Sequence, residues 1–383
     1  MNKLVFFAAS KDQLAYFLKL QAYLPKQLSV WWYKKFSFPA VCFSLPISAI
    51  GYQISLLQKR KKNSASGQAK PSFYWLIFRA LKWLEASWLF LRYLSFLKTE
   101  PADYVGVWNG KKFRQAILVL AAKKANKKVI YFERGPLPGY SCLDPKGVNF
   151  YSSLPKNKEF YLRYNCKEQD VLLISSSSSR FLDELLPEKY IFVPFQVVED
   201  SNVYLHSPWI QQMRDFYAEV EYLSIKHPEL SFVIKEHPAC PENYDDLKQM
   251  ALQTNGRIQF VEAIDSTSLV LNALAVMTIN STVGMEAIMA RKKLIVLGEA
   301  IYSFDGLVKL VTNRKELLDT FNNLVAWEVD ENLVNSYLCF IKNEYVITGD
   351  AMYSLTAEHL QKMTGKLQRV LSGHANQAIG LED

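Results

Sequence analysis

Four polar clusters carry the residue types from which a chemical site could be built. Glu133 opens the run Glu133-Arg134-Gly135-Pro136-Leu137-Pro138-Gly139, in which two prolines and two glycines fix a tight loop, and Asp144 and Asn149 lie just beyond it. A carboxylate held beside such a loop suits proton transfer or substrate binding; its alternatives are capping a loop amide or pairing with Arg134. Gln196, Glu199 and Asp200 follow the apolar run Tyr190–Phe195, and on spacing alone Asp200, ahead of Ser201, reads as a helix N-cap or turn residue.

Lys235-Glu236-His237-Pro238 ends another apolar run, where the proline stops a strand and leaves a cation and an imidazole at its tip. Both donate hydrogen bonds and suit a phosphate, although a lone histidine is more often structural. Asn280-Ser281-Thr282-Val283-Gly284-Met285-Glu286 joins a strand pattern to a helix pattern. A helix start offers N–H groups and partial positive charge, Ser281 and Thr282 add hydroxyls, and Gly284 would let a ligand approach the backbone. The segment is neither a Walker A nor a GxGxxG motif. Without a carboxylate cluster for a metal, it favours a nucleotide held without metal or other cofactor.

The elements that must position these clusters alternate regularly. Apolar periodicity predicts a strand at 4–9, a helix at 12–24, a strand at 104–108, a helix at 112–125 and a strand at 128–132. A second series predicts strands at 190–195, 231–235, 257–261, 275–279 and 293–297, with helices between them and a mostly helical tail from Val329. The implied fold class is α/β, with two Rossmann-like domains at 1–185 and 186–383, C-terminal helices, and a ligand crevice between the domains at the carboxyl ends of their strands. Residues 58–71 have the composition of an exposed basic loop. Phe73–Lys98, dense in Trp, Phe and Leu but interrupted by cations, reads either as a core helix with a solvated face or as an element lying on an anionic membrane surface.

Composition narrows the classes. With 383 residues, 50% of them hydrophobic and 21% charged, the chain is globular rather than disordered or fibrous. Its +8 balance suits an anionic partner but is too small for a dedicated nucleic-acid binder. Five scattered cysteines with no CxxC pair predict reduced thiols in a cytoplasmic protein and exclude a structural zinc site. The apolar N-terminal run is too short for a signal peptide, and Pro39, Pro46 and Gly51 interrupt the stretch 36–57 as a membrane span.

The motifs YFERGPLPGYSCLDPKGVN, VPFQVVEDSN, KEHP, NSTVGMEA and LGEAIYSFDGL, in this order between about 104 and 310, resemble the capsule polysaccharide biosynthesis family, and within it the retaining β-Kdo glycosyltransferases. The resemblance implies a GT-B-like fold whose second domain binds CMP-Kdo and whose first binds a glycan or glycolipid acceptor, at the inner face of the inner membrane. It implies that Lys235 and His237 meet the CMP phosphate, with Asn280, Ser281, Thr282 and Gly284 at the helix start and Glu286 near the ribose. It points to Asp200 as nucleophile and Glu133 as acid/base in a double displacement, with Arg134, Gln196 and Asn149 as further substrate-binding candidates. Arg134 departs from the pattern, in which a small or amide residue commonly follows the Glu. Another CMP-sugar transferase of the sialyltransferase kind, or a non-catalytic glycolipid-binding assembly protein, would also suit the scaffold.

Overall fold

The computed structural model describes the chain apart from residues 1, 34–44, 65–66, 68, 167–185, 198–200, 352–354 and 382–383. Its elements begin β1 (Leu4–Ala8), α1 (Lys11–Tyr23), β2 (Leu28–Trp32), α2 (Ile47–Lys62), α3 (Ser72–Thr99), β3 (Tyr104–Trp108), α4 (Phe113–Lys124), β4 (Lys128–Arg134), β5 (Tyr140–Asp144) and α5 (Lys158–Leu162). They continue with β6 (Tyr190–Pro194), α6 (Ser201–His206), α7 (Met213–Lys226), β7 (Ser231–Lys235), α8 (Asp245–Leu252), β8 (Ile258–Phe260), α9 (Ser266–Asn272), β9 (Ala275–Thr278) and α10 (Val283–Met289). The last elements are β10 (Lys293–Val296), β11 (Lys309–Leu310), α11 (Arg314–Asn322), α12 (Glu331–Phe340), β12 (Val346–Thr348) and α13 (Ala357–Leu371).

Two compact units result: Met1–Lys62 with Ala69–Leu154 and Ile341–Asp383, and Asn63–Gln68 with Pro155–Phe340. The first holds a sheet of order β12-β5-β4-β3-β1-β2, parallel from β2 to β4 with β5 and β12 antiparallel. In the second, the order β11-β10-β9-β6-β7-β8 is parallel throughout. Strands such as LVFFA and YIFVP are buried along their whole length, as parallel strands covered on both faces must be. Each large apolar side chain they bury contributes about 1.5–3 kcal/mol. Side-chain caps start several helices, with Ser10, Asp265, Asn313 and Thr356 each accepting a backbone N–H.

The strand and helix series match the sequence reading to within a few residues, but three expectations change. The chain does not divide once near 186, because the tail returns to the first sheet, where β12 pairs with β5. The basic run 58–62 is the last turn of α2 rather than loop. The cysteines are not all reduced thiols: Cys166 and Cys339, 173 residues apart, are joined, while Cys142 and Cys240 are free and Cys42 lies outside the described residues. The second unit brings that pair together because α5 packs on α12 through aromatic contacts, Phe160 and Tyr161 against Phe340 at 5.0 and 5.6 Å.

One buried contact fastens the tail. His359 on α13 is fully buried, and the Thr348 carbonyl 2.9 Å from its Nδ1 can only accept, so the proton sits on Nδ1 and Nε2 accepts from the Tyr16 hydroxyl at 2.9 Å. His359→Ala would leave the Tyr16 hydroxyl buried without this partner, and should cost roughly 2–4 kcal/mol in urea unfolding. Burial holds the His359 pKa below its ordinary 6.5. The unfolded chain therefore takes up the proton first on acidification, so stability is fully present above that value and falls as pH drops through it. The melting temperature of His359→Gln should show a shallower acid decline than that of the wild type.

Candidate functional site

In the second unit the chain lays down β6, β7 and β8 in one direction and then crosses back to add β9, β10 and β11 on the other side. The switch falls between β6 and β9, where an open parallel sheet leaves its crevice at the carboxyl ends of the strands. Three of the four polar clusters end on the neighbouring strands β9, β6 and β7, so the sheet collects segments 84 residues apart in sequence at one edge.

Gln196 and Asn280 span the switch. The Gln196 amide donates to Asn280 Oδ1 at 3.0 Å, and the Asn280 backbone N–H donates to Gln196 Oε1 at 3.1 Å. Asn280 Nδ2 then donates to the Asn202 carbonyl on α6 at 2.9 Å. Both side chains are buried, 4% and 7% exposed, and bonded to protein, so their role is to set the crevice floor. Asn280, expected as a phosphate ligand, has both its amide oxygen and its amide nitrogen hydrogen-bonded to protein.

At the end of β7 the Ala239 N–H donates to His237 Nδ1 at 3.1 Å. In neutral His237 this assigns the proton to Nε2, so the exposed ring presents an N–H donor. Lys235 lies at the same strand end, with Nζ donating to the Glu262 carbonyl at 2.6 Å. Glu236 pairs instead with Lys248 at 2.9 Å.

The turn from β9 into α10 is held locally. Ser281 Oγ accepts from the Val283 N–H at 3.2 Å, and the Ser281 carbonyl accepts from the Gly284 N–H at 3.0 Å. These bonds use part of the helix-start N–H set that the sequence assigned to a ligand. The Gly284 role also changes. A Cβ built there would lie 2.3 Å from the Tyr302 hydroxyl, so the glycine makes room for a buried tyrosine rather than for a ligand. Tyr302 in turn donates its hydroxyl to the Ser281 carbonyl. Tyr302, inside the LGEAIYSFDGL motif, was not singled out by sequence reasoning; a lone tyrosine carries no chemical signal of its own. Thr282 is exposed, and half-buried Glu286 accepts from Thr267 Oγ1 at 3.3 Å, with burial raising its carboxyl above the usual range.

In the first unit Glu133 lies on β4 itself, opposite Cys142, one strand from the β1/β3 switch. Asn109, just beyond β3, donates its amide to Glu133 Oε2, and the Arg134 backbone N–H donates to Oε1 at 3.0 Å. Burial pushes the Glu133 carboxyl above the usual carboxylate range, against the opposing effect of these bonds and of Lys112. Asn109 was missed in the sequence, although Asn109-Gly110 after an apolar strand is a turn signal: both have positive φ, 64° and 74°. The Arg134 side chain pairs with Asp350 at 3.3 Å. Asn149 begins a short 3-10 turn at φ 56°, and Lys111 Nζ sits 5.0 Å over the Tyr151 ring of that turn. Asp144 is structural, accepting from the N–H groups of Lys146, Gly147 and Ser153 and the hydroxyls of Ser153 and Tyr345.

Glu199 and Asp200 lie outside the described residues. Among the described residues no group of three or more His, Cys, Asp or Glu could hold a metal ion.

Each of the two units thus carries a Rossmann-like sheet with polar residues gathered at the carboxyl ends of its strands. Residues 184–350 match the family model described as capsule polysaccharide biosynthesis protein. Protein FixF of Sinorhizobium fredii is 34% identical over 266 residues, covering 67% of this chain and 64% of that protein. The capsule polysaccharide export protein KpsS of Escherichia coli is 36% identical over 251 residues, covering 49% and 64%. The chain thus spans less than two thirds of the length of these relatives. Among solved structures, the β-Kdo 2,4 transferase of Thermosulfurimonas dismutans KpsC aligns with TM-score 0.45 at 12% identity, covering 88% of this chain and 89% of that one.

Two outcomes follow from the geometry. Gly284→Ala should destabilise the protein by about 1–3 kcal/mol by displacing Tyr302, and the loss should shrink in a Tyr302→Ala background, as read by urea unfolding. Because the Glu133 pKa is raised, its ionised form opposes folding above the folded-state pKa and costs nothing below the ordinary carboxylate range. Glu133→Gln should therefore raise the melting temperature at pH 8 and lose that advantage at about pH 4.

Proposed function

We propose that this protein is a retaining glycosyltransferase that moves Kdo, a keto-sugar acid, from CMP-Kdo to a glycan or glycolipid acceptor at the cytoplasmic face of the membrane. The observation that carries the reading is the His237 ring. Its Nδ1 is engaged by the backbone, so it offers an Nε2–H donor beside Lys235, on the sheet edge that also holds Ser281 and Thr282. A donor, a cation and hydroxyls at a parallel-sheet switch suit the single phosphate of CMP, and a phosphate held this way departs without a metal.

In the proposed chemistry Asp200 attacks the anomeric carbon as the bond to the CMP oxygen breaks, and the phosphate leaves with the electron pair. The acceptor hydroxyl then gives its proton to Glu133 and attacks the same carbon, displacing Asp200, so two inversions give net retention. A carboxylate whose pKa is raised by burial is a stronger base than free glutamate, which suits Glu133 to the second step. The scheme requires both carboxylates to reach one anomeric carbon.

Calorimetry should show CMP binding in the presence of EDTA, weakened by about 1.5–3 kcal/mol in His237→Ala, the range for a hydrogen bond to a charged group. Asp200→Ala and Glu133→Gln should keep CMP binding and lose transfer by about a thousandfold or more, with anomeric NMR of the wild-type product showing retention. Loss of CMP binding on chelation would overturn the phosphate site. An inverted product, or an Asp200→Asn variant with near-normal turnover, would overturn the double displacement.

A further inference from the structure

Helix α3 is apolar on two opposite faces. Trp75, Ala86, Phe90, Tyr93 and Leu97 are buried along one. On the other, Phe73, Leu76, Ile77, Leu81, Leu84 and Trp88 stand at helical spacing in solvent, with Phe73 69%, Leu76 66% and Leu84 70% exposed. Scattered exposed leucines need no explanation, but a continuous stripe of this length does.

The charge around the stripe says what covers it. From Lys59 to Leu84 the sequence holds seven Lys and Arg and no Asp or Glu. Helix α2, packed beside α3, ends in Lys59, Arg60, Lys61 and Lys62. Lys62 Nζ lies 5.4 Å from the Trp75 ring and Lys70 Nζ 5.5 Å from the Tyr74 ring, so cations flank the start of the stripe. The next carboxylate, Glu85, is bound by Lys82 at 2.5 Å and Arg114 at 3.0 Å.

We propose that this face of α3, with the basic end of α2, docks on the surface of a bilayer rich in anionic phospholipid. Apolar side chains would enter the headgroup boundary while the flanking cations meet lipid phosphates. Self-association is disfavoured, since a second copy would bring the same cations against each other. Among the described residues no helix is long and apolar enough to cross a membrane, so the element lies on the bilayer. This surface is independent of the donor reading, and either can fail without the other.

The test is sedimentation of the full chain with vesicles of phosphatidylglycerol and phosphatidylcholine, against phosphatidylcholine alone, at low and high salt. Binding should favour the anionic vesicles by about tenfold or more and weaken in salt, because the charge contribution is screened. The triple variant Phe73→Ser, Leu76→Ser, Leu84→Ser should lose about tenfold in partition with CMP affinity unchanged. Independently of any variant, brominated phosphatidylglycerol should quench wild-type tryptophan fluorescence through Trp88. Equal binding to both vesicle types, undiminished binding of the triple variant, or absence of quenching would overturn the proposal. So would a wild-type dimer that the triple variant converts to monomer, which would assign the face to a second copy.

Discussion

A parallel sheet covered on both faces buries mostly apolar side chains along its strands, so its polar chemistry gathers at the carboxyl edge, where two neighbouring strands part. In the second unit the reciprocal Gln196–Asn280 pair holds that place. It satisfies two buried carboxamides at once, which matters because either alone would leave a polar group desolvated at a cost of about 1–3 kcal/mol. It also fixes the height at which β6 and β9 end relative to each other. Ser281 and Thr282 beyond β9, and Asn202 at the start of α6, inherit their positions from it.

The first unit solves the same problem with a charged group. Glu133 is held by Asn109, which the strained-looking Asn109-Gly110 turn places at the end of β3. Left-handed backbone at an asparagine is tolerated, and at the following glycine a Cβ would meet the Tyr131 ring at 2.6 Å. The turn is therefore selected twice, once for conformation and once for close approach. Burial raises the Glu133 pKa while the Asn109 and Arg134 N–H groups oppose the shift. This leaves a carboxyl group held in place yet basic, a combination that solvent exposure would not provide.

Local patterns made the strand and helix series readable, because period-2 and period-3.6 signals are complete within a few residues. The polar clusters at strand ends were equally visible, since a buried sheet has no other use for Lys235, His237 or Glu133. What escaped was long-range. The return of β12 to β5 pairs residues 204 apart, Val346 with Cys142, and the Cys166–Cys339 link spans 173; no short window contains either. Roles were harder to read than locations for the same reason. Asn280 is bonded by Gln196 from 84 residues away, and the space beside Gly284 is filled by Tyr302, neither of which a local pattern contains.

Helix α3 shows where pattern reading reaches its limit. A core helix and a membrane-surface helix both show a stripe of large apolar residues, and when one helix does both its apolar directions nearly cancel, so amphipathicity gives no clear signal. The C-terminal half, from Ala86 to Leu97, packs into the first unit's core through residues such as Phe90, Tyr93 and Leu94, and anchors the helix. The N-terminal half keeps only Trp75 buried over its first fourteen residues. Burying one half provides the free energy that allows the other to remain apolar in water, because an isolated helix so exposed would collapse or aggregate. The long-range fold thus supports, on the opposite side of the same helix, an apolar stripe that the helix could not carry alone.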